Sequence, residues 1–266
     1  MPVPPLITST QNARVKLVRA LQAHSKTRRA EGRLVLEGAR LISDALAAGI
    51  QPDFTLHTES FAQSPSTAPL LARLQSLNVP CLPVSPEVMA HAAETQTPQG
   101  ILAVLPLPNL PFPSQPNLLL ALDGVADAGN LGTLLRSAAA VGVDGVLLLP
   151  NCVDPFNPKA LRAGMGAHFR VPVQSSTWQQ VGQHFPDLPF YLAAANGTLP
   201  YYAVDWRQPA ALIIGGEAHG ATPAAHQHAA QRIAIPMAND FESLNAAAAA
   251  AVILFEARRQ RALYSA

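Results

Sequence analysis

Cysteine is scarce in this sequence. Its 266 residues include two cysteines, Cys81 and Cys152, which lie far apart in the chain. Two isolated cysteines provide neither a disulfide framework nor the ligand spacing of a metal site. We therefore expect reduced thiols, a cytosolic compartment and no bound metal.

Long apolar segments are also missing. The longest apolar run, Ala246–Phe255, is too short to span a membrane. The N-terminus lacks the hydrophobic region of a secretory signal. We therefore predict a cytoplasmic protein with no membrane partner.

Charge is sparse, at 13% of residues with a net charge of +1, so no overall field draws the molecule to nucleic acid. The charge is nevertheless uneven. The segment from Gln11 to Arg40 holds eight basic and two acidic residues, a net +6, which leaves −5 for the rest. This pattern predicts either a basic face near the N-terminus or an ordinary solvated helix surface. The basic residues are Arg14, Lys16, Arg19, Lys26, Arg28, Arg29, Arg33 and Arg40.

A proline-rich stretch divides the chain. Leu105–Pro116 contains five prolines, which favour a stiff extended connector over helix or sheet. We therefore predict one domain over residues 1–105, a linker over 106–116 and a second domain over 117–266.

The first part indicates a small α/β domain. Apolar spacing and turn residues predict helices over Asn12–Ala23, Ala39–Ala48, Leu70–Leu77 and Glu87–Ala93. Short apolar runs predict strands at Leu34–Leu36, Asp53–His57, Pro80–Val84 and Gly100–Leu105. Ser60–Pro69 is interpreted as a surface loop.

The second part repeats strand and helix signals that are typical of a parallel sheet. The predicted strands are Leu118–Leu122, Val146–Leu149, Tyr191–Ala195, Ala211–Ile214 and Arg232–Ile235. Helices are predicted over Asn130–Val141, with Gly142 closing it, and over Ala246–Arg261. The alanine-rich start of the last helix suggests burial on every side.

Three polar segments follow apolar strands, where open α/β sheets place ligands. In Asp123–Arg136, Asn130 is a candidate N-cap and Arg136 is expected in the second helical turn. Arg136 either binds an anionic ligand or pairs with a carboxylate of the fold. Gly215–Gly220 is either a close ligand contact or a plain tight turn. Ile235–Asn245 is either an anion site or a helix cap.

In this order and spacing, the three segments resemble the signature motifs of the SpoU branch of the SPOUT superfamily of RNA methyltransferases. The resemblance covers Asn117 to Arg261, and the residues from Ile7 to Leu41 resemble the RNA-binding domain that often precedes this catalytic domain. It implies a knotted parallel-sheet methyltransferase domain behind a small α/β RNA-binding domain. It further implies a homodimer that uses S-adenosylmethionine to methylate a ribose 2′-hydroxyl, with ribosomal RNA favoured over transfer RNA.

Site residues follow from the same resemblance. The polar active-site positions are Arg136, Asn130, Glu217, Ser243 and Asn245, and the backbone positions that contact the cofactor are Gly215, Ile235 and Leu244. From the basic stretch, the expected RNA contacts are Arg14, Lys16, Lys26, Arg28, Arg29 and Arg33. Ala128, Gly164 and Ala218 stand where the family often has proline, serine and glycine.

The role of Arg136 can be argued from its chemistry. A ribose hydroxyl is a poor nucleophile, so a group must take its proton or stabilise the developing alkoxide. Because a guanidinium stays protonated near neutral pH, we interpret Arg136 as a charged clamp on the alkoxide or on an adjacent phosphate. Glu217 is expected to orient Arg136 or another donor.

Two other functions remain open at this point. One is a non-catalytic RNA-binding relative, against which the intact polar set argues. The other is a small-molecule α/β enzyme, which would not need the basic N-terminal segment.

Overall fold

The structure is a computed structural model that describes residues 4–217, 219–239 and 243–262. The chain forms two compact units, Met1–Pro108 with Phe156–Arg162, and Asn109–Pro155 with Ala163–Ala266. The change from one unit to the other after Pro108 falls inside the proline-rich stretch. Among the described residues, no helix is both long and apolar enough to cross a bilayer.

The first unit is a four-stranded sheet with helices around it. Its strands are β1 (Arg33–Glu37), β2 (Phe54–His57), β3 (Cys81–Pro83) and β4 (Ile101–Pro106), in the order β1-β4-β2-β3. β4 is antiparallel to β1 and β2, and β3 is parallel to β2. Its helices within residues 4–108 are α1 (Ala13–Ala23), α2 (Ser25–Glu31), α3 (Ala39–Ala47), α4 (Glu59–Gln63), α5 (Ala68–Ser76) and α6 (Pro86–Ala92).

The local sequence determines where helix α1 begins and which of its faces is buried. The Asn12 side chain accepts a hydrogen bond from the Arg14 backbone N–H and caps the helix. Val15, Val18 and Leu21 recur at helical spacing and are fully buried in the core. The basic residues between them are thereby left on the outer face.

The prediction of a surface loop over Ser60–Pro69 was partly wrong, because helix α4 covers its start and α5 its end. The Thr58 side chain caps α4 by accepting from the Phe61 N–H, and Phe61 is buried. A five-residue helix with one buried residue shows no apolar periodicity, so the sequence pattern did not predict it.

The second unit is a parallel sheet in the order β7-β6-β5-β10-β8-β11-β9, with every pairing parallel. Its strands are β5 (Leu118–Asp123), β6 (Gly145–Leu148), β7 (Val173–Ser175), β8 (Phe190–Ala193), β9 (Leu199–Pro200), β10 (Ala210–Gly215) and β11 (Gln231–Ala234). The α-helices that follow β5 are α7 (Ala128–Val141), α8 (Pro158–Gly164), α9 (Trp178–His184), α10 (Pro223–His228) and α11 (Ala246–Ala262), and two short 3₁₀ turns cover Ala167–Phe169 and Tyr201–Ala203.

Strand β5 lies inside this sheet and is buried along its whole length. Leu118, Leu120 and Leu122 face a core shared with α7 and α11. Leu119 and Ala121 face a second core shared with α9 and α10. Burial on both faces explains the continuous apolar run in its sequence.

Helix α11 corrects one expectation. Ala247, Ala250, Ile253, Leu254 and Ala257 are buried, but the opposite side exposes Val252 at 38% and Phe255 at 52%. The helix is therefore not buried on every side within a single chain. Sequence composition cannot distinguish a helix surrounded by its own chain from one with an apolar outer face.

Candidate active site

A cavity of about 590 Å³ lies at the carboxyl ends of the strands of the second unit. It is formed by the residues that follow β8, β10 and β11 and by the first turns of α11. Parallel strands end at one edge, and open α/β sheets bind ligands there. The volume is in the range of small-molecule sites.

Most of the predicted site residues line this cavity. They are Gly215, Glu217, Ile235, Ser243, Leu244 and Asn245. Two of the three motif segments, Gly215–Gly220 and Ile235–Asn245, therefore meet at this cavity. Ala218 and residues 240–242, which belong to two of these segments, lie outside the described residues.

Asn130 connects the three segments. Its Nδ2 donates to Glu217 Oε1 at 2.8 Å, and its Oδ1 accepts from Asn245 Nδ2 at 3.2 Å. Asn245 Oδ1 in turn accepts from the backbone N–H groups of Ala247 and Ala248 and so caps α11. One amide thus fixes the loop after β10 to the start of the last helix.

The structure places Asn130 inside helix α7, not at its cap. Asp127 is the N-cap, and its Oδ1 accepts from the Asn130 backbone N–H at 2.8 Å. Both residue types are good caps, so the sequence did not distinguish them. With the cap occupied by Asp127, the Asn130 side chain can reach Glu217 and Asn245.

Arg136 lies in the third turn of α7, since the helix begins at Ala128, and not in the second as expected. Its side chain is exposed and does not line the cavity. Within the described part of the chain, no hydrogen bond or ion pair engages it, and Glu217 orients Asn130 instead. The expected cost of burying this charge does not arise.

Glycine is required where the loops approach each other. A Cβ on Gly215 would lie 2.4 Å from the Ala221 nitrogen, and one on Gly216 would lie 2.3 Å from the Gly124 carbonyl oxygen. Gly216 and Gly220 exchange backbone hydrogen bonds of 3.1 and 3.0 Å. The glycine segment is therefore a tight turn that also forms part of the cavity wall.

Sequence reasoning gave no role to Asp123, the last residue of β5. Its buried carboxylate accepts from Trp178 Nε1 at 3.1 Å and from the Thr222 backbone N–H at 2.6 Å. It fixes α9 and the start of α10 beside the cavity. The sequence signal that could have indicated this role is an acidic residue, Asp123, at the end of an otherwise apolar strand.

The departures at Ala128 and Gly164 have different surroundings. Ala128 is the buried first residue of α7. A Cβ on Gly164 would lie 2.5 Å from His168 Cε1, so this chain places an imidazole against that position. Burial lowers the pKa of His168 to about 4, and its Nε2 donates to the Pro155 carbonyl at 2.8 Å.

The six basic residues predicted to contact RNA differ in their surroundings. Arg14, Lys16, Lys26 and Arg29 are exposed. Arg33 pairs with Asp53 at 2.7 Å and with Glu31 at 3.4 Å.

Arg28 requires a correction. It is 3% exposed, and its Nη1 donates to the carbonyl oxygens of Leu21 and Gln22 at the end of α1. A side chain used in this way joins α1 to α2 and cannot be a surface RNA contact. The predicted role of Arg28 was therefore wrong.

Comparison with known proteins identifies the family of this chain. The SpoU rRNA methylase family model matches residues 117–255, and a model of the MRM3-like substrate binding domain matches residues 12–103. The chain belongs to the SpoU rRNA methylase family. The resemblance drawn from the three motifs is confirmed, as is the α/β fold with a parallel sheet.

Relatives match along nearly the full chain. An uncharacterised tRNA/rRNA methyltransferase of Synechocystis is 37% identical over 96% of this chain and 94% of its own. The 23S rRNA (guanosine(2553)-2′-O)-methyltransferase RlmP of Bacillus subtilis is 31% identical over 95% of this chain and 98% of its own. A structure of an AdoMet-bound rRNA methyltransferase from Sinorhizobium meliloti has a TM-score of 0.83 at 28% identity, covering 96% of this chain and 97% of that one.

Proposed function

We propose that this protein transfers a methyl group from S-adenosylmethionine to a ribose 2′-hydroxyl of ribosomal RNA. The observation that supports the proposal is that two SpoU motif segments line one cavity and are joined there by Asn130 of the third segment. The RlmP relative is named for this reaction on 23S rRNA.

The cavity fits the cofactor. Ile214, Ile233, Ile235, Met237 and Leu244 give it apolar walls, and Gly215 leaves backbone open to it. No lysine or arginine occurs among the described residues that line it, which disfavours a ligand with several phosphates. S-adenosylmethionine, a nucleoside with a sulfonium and no phosphate, matches this lining.

When bound, the cofactor supplies an electrophilic methyl group. The attacking ribose oxygen loses its proton and develops negative charge during the reaction. Arg136, exposed on α7 and held by no other group among the described residues, is free to clamp that charge or a neighbouring phosphate. Asn130, Glu217 and Asn245 hold the loops around the cavity, and Ser243 presents a hydroxyl at its wall.

RNA binding is assigned to the first unit. Arg14, Lys16, Lys26 and Arg29 are exposed cations on α1 and α2, and Arg33 contributes a partly neutralised one. Phosphate contacts supply affinity without sequence information. We place the functional boundaries at residues 1–105, 106–116 and 117–266.

The active form is proposed to be a homodimer. The exposed Val252 and Phe255 on α11 form an apolar surface that a second copy can cover. We also propose that the second unit follows a knotted path. A cytoplasmic location is proposed because the free thiols of Cys81 and Cys152 fit a reducing compartment.

The reaction is tested with purified protein, unmodified rRNA and radiolabelled S-adenosylmethionine. Label is expected in nucleotides that resist alkaline cleavage, because 2′-O-methylation removes the attacking hydroxyl. Label in the mononucleotides that alkali releases would instead indicate base methylation and would contradict ribose methylation. A protein that binds rRNA without transferring label would be the non-catalytic relative.

A further inference from the structure

The first unit contains a second cavity, of about 440 Å³. Because β1 and β2 both run antiparallel to β4, and β3 runs parallel to β2, the turns after β1, β2 and β3 share one edge with the turn before β4. The cavity lies at this carboxyl edge. Open α/β sheets commonly bind ligands at such an edge.

The lining of this cavity is polar but uncharged. Thr58, Ser60, Ser64, Thr67 and Gln99 line it. The Thr58 hydroxyl accepts from the Phe61 N–H and the Thr67 hydroxyl donates to the Phe61 carbonyl, so each hydroxyl keeps a lone pair for a ligand. The Gln99 amide lies at the end of this wall, against Gly38. Hydroxyls and amides both donate and accept hydrogen bonds. The lining residues all lie within the described range 58–100, and none of them is ionisable, so the cavity is poorly suited to a phosphate.

The floor of the cavity is apolar. Phe61 and Met89 line it and are buried, while Ala90 and Pro86 form exposed parts of its rim. A planar, partly apolar ligand with hydrogen-bonding edges matches this combination better than a charged or purely aliphatic one.

The wall that carries Gln99 is held in place. Glu37, buried at the end of β1, accepts from the Thr95 hydroxyl and from the Gln99 backbone N–H at 3.3 Å. Gly100 has a φ of +80°, and a Cβ there would lie 2.9 Å from Thr58 Oγ1. The cavity is thus built before any ligand arrives, which lowers the cost of binding.

We propose that this cavity receives an unstacked base of the RNA substrate, an inference that rests on the proposed function. A base is neutral and planar, and its edge carries N–H and C=O groups that hydroxyls and an amide can recognise. Proteins recognise RNA sequence chiefly through such splayed-out bases. The cavity then provides the specificity that the exposed cations of α1 and α2 do not.

The test compares three variants in binding to 23S ribosomal RNA transcribed in vitro. Ala90→Trp fills the cavity, and Gln99→Met removes the amide at nearly constant length. Ala47→Trp, at an exposed alanine that ends α3 near the opposite edge of the sheet, is the matched control. Melting temperature and S-adenosylmethionine affinity are measured for each protein.

Ala90→Trp is expected to weaken RNA binding about tenfold, the lower range of what one base contact contributes. Gln99→Met is expected to weaken it severalfold, and Ala47→Trp to leave it unchanged. The dependence of affinity on salt should keep its slope in all three, because no phosphate contact is lost. Cofactor affinity should not change.

Normal RNA affinity in both cavity variants would overturn the proposal; if Ala90→Trp does not fold, Gln99→Met alone decides. A flattened salt slope would also contradict it, since the cavity would then hold a phosphate. Failure of the proposed function is a separate result: the unmodified protein would transfer no methyl group to this RNA.

Discussion

Replacing Asn130 by aspartate tests whether the three motif segments act as one unit. The change keeps the oxygen that accepts from Asn245, but it places a carboxylate where an amide donates to Glu217 Oε1 at 2.8 Å. Two unit charges at that distance repel by about 1.5 kcal/mol in a water-like dielectric and about 6 kcal/mol at an effective dielectric of 20. Because Glu217 is exposed, the lower value applies, together with the lost hydrogen bond.

The total is about 2 kcal/mol, which corresponds to roughly 30-fold weaker S-adenosylmethionine binding if the cofactor needs the joined loops. Isothermal titration calorimetry measures this without depending on transfer. When Asn130→Asp is combined with Glu217→Gln, the new amide at position 217 can donate to the new carboxylate at position 130. The hydrogen bond is thereby restored with its direction reversed. The double variant should therefore bind S-adenosylmethionine with an affinity within about threefold of that of Glu217→Gln alone.

Additive losses in this double variant would refute the reasoning. The two side chains would then affect the cofactor independently, and the contact between them would be incidental. Unchanged affinity in Asn130→Asp would show that the network is not needed for binding.

The remaining predictions concern four separate features. Arg136→Ala and Arg136→Lys should both lose single-turnover transfer while keeping cofactor affinity, because a point charge does not replace a bidentate guanidinium; near-normal transfer would remove Arg136 from the mechanism. Phe255→Glu should convert a dimer into monomers by sedimentation, and a wild-type chain that is monomeric at all concentrations would contradict the dimer. The pKa of His168 falls from 6.5 to about 4 on folding. The folded state therefore favours the neutral ring, and this contribution to the free energy of unfolding is fully present above pH 6.5. It amounts to about 3 kcal/mol and is lost as the pH falls from 6.5 towards 4. His168→Gln should lose this part of the pH dependence of unfolding in urea, and an unchanged pH profile would be inconsistent with it. Replacing Lys26 and Arg29 by alanine should weaken RNA binding and flatten its salt dependence by about 0.7 per lost phosphate contact, whereas an equal slope would mean that this face does not meet RNA.

Much of the fold follows from local sequence patterns. The apolar run of β5 and the spacing of Val15, Val18 and Leu21 are each determined by burial of their own residues, so a short window contains the signal. Residues that join distant segments are different. Asn130 contacts Glu217 and Asn245 across 87 and 115 positions, which no local pattern reports.

Arg28 and Arg29 show the same limit on a smaller scale. Both are basic and adjacent, yet one joins two helices and the other faces solvent. The difference depends on how α2 turns back against α1, which is a tertiary property. Strands β7 and β9, with three and two residues, were missed because such short pairings carry no periodicity.

The central claim is ribose 2′-O-methylation of ribosomal RNA, and mapping of 2′-O-methyl groups tests it most directly. Total RNA from a strain with this gene is compared with RNA from the same strain without it, and from one that carries Arg136→Ala. One ribosomal position is expected to be methylated in the first and unmethylated in the other two. An identical rRNA map in all three strains, or a change confined to transfer RNA, would contradict the assignment.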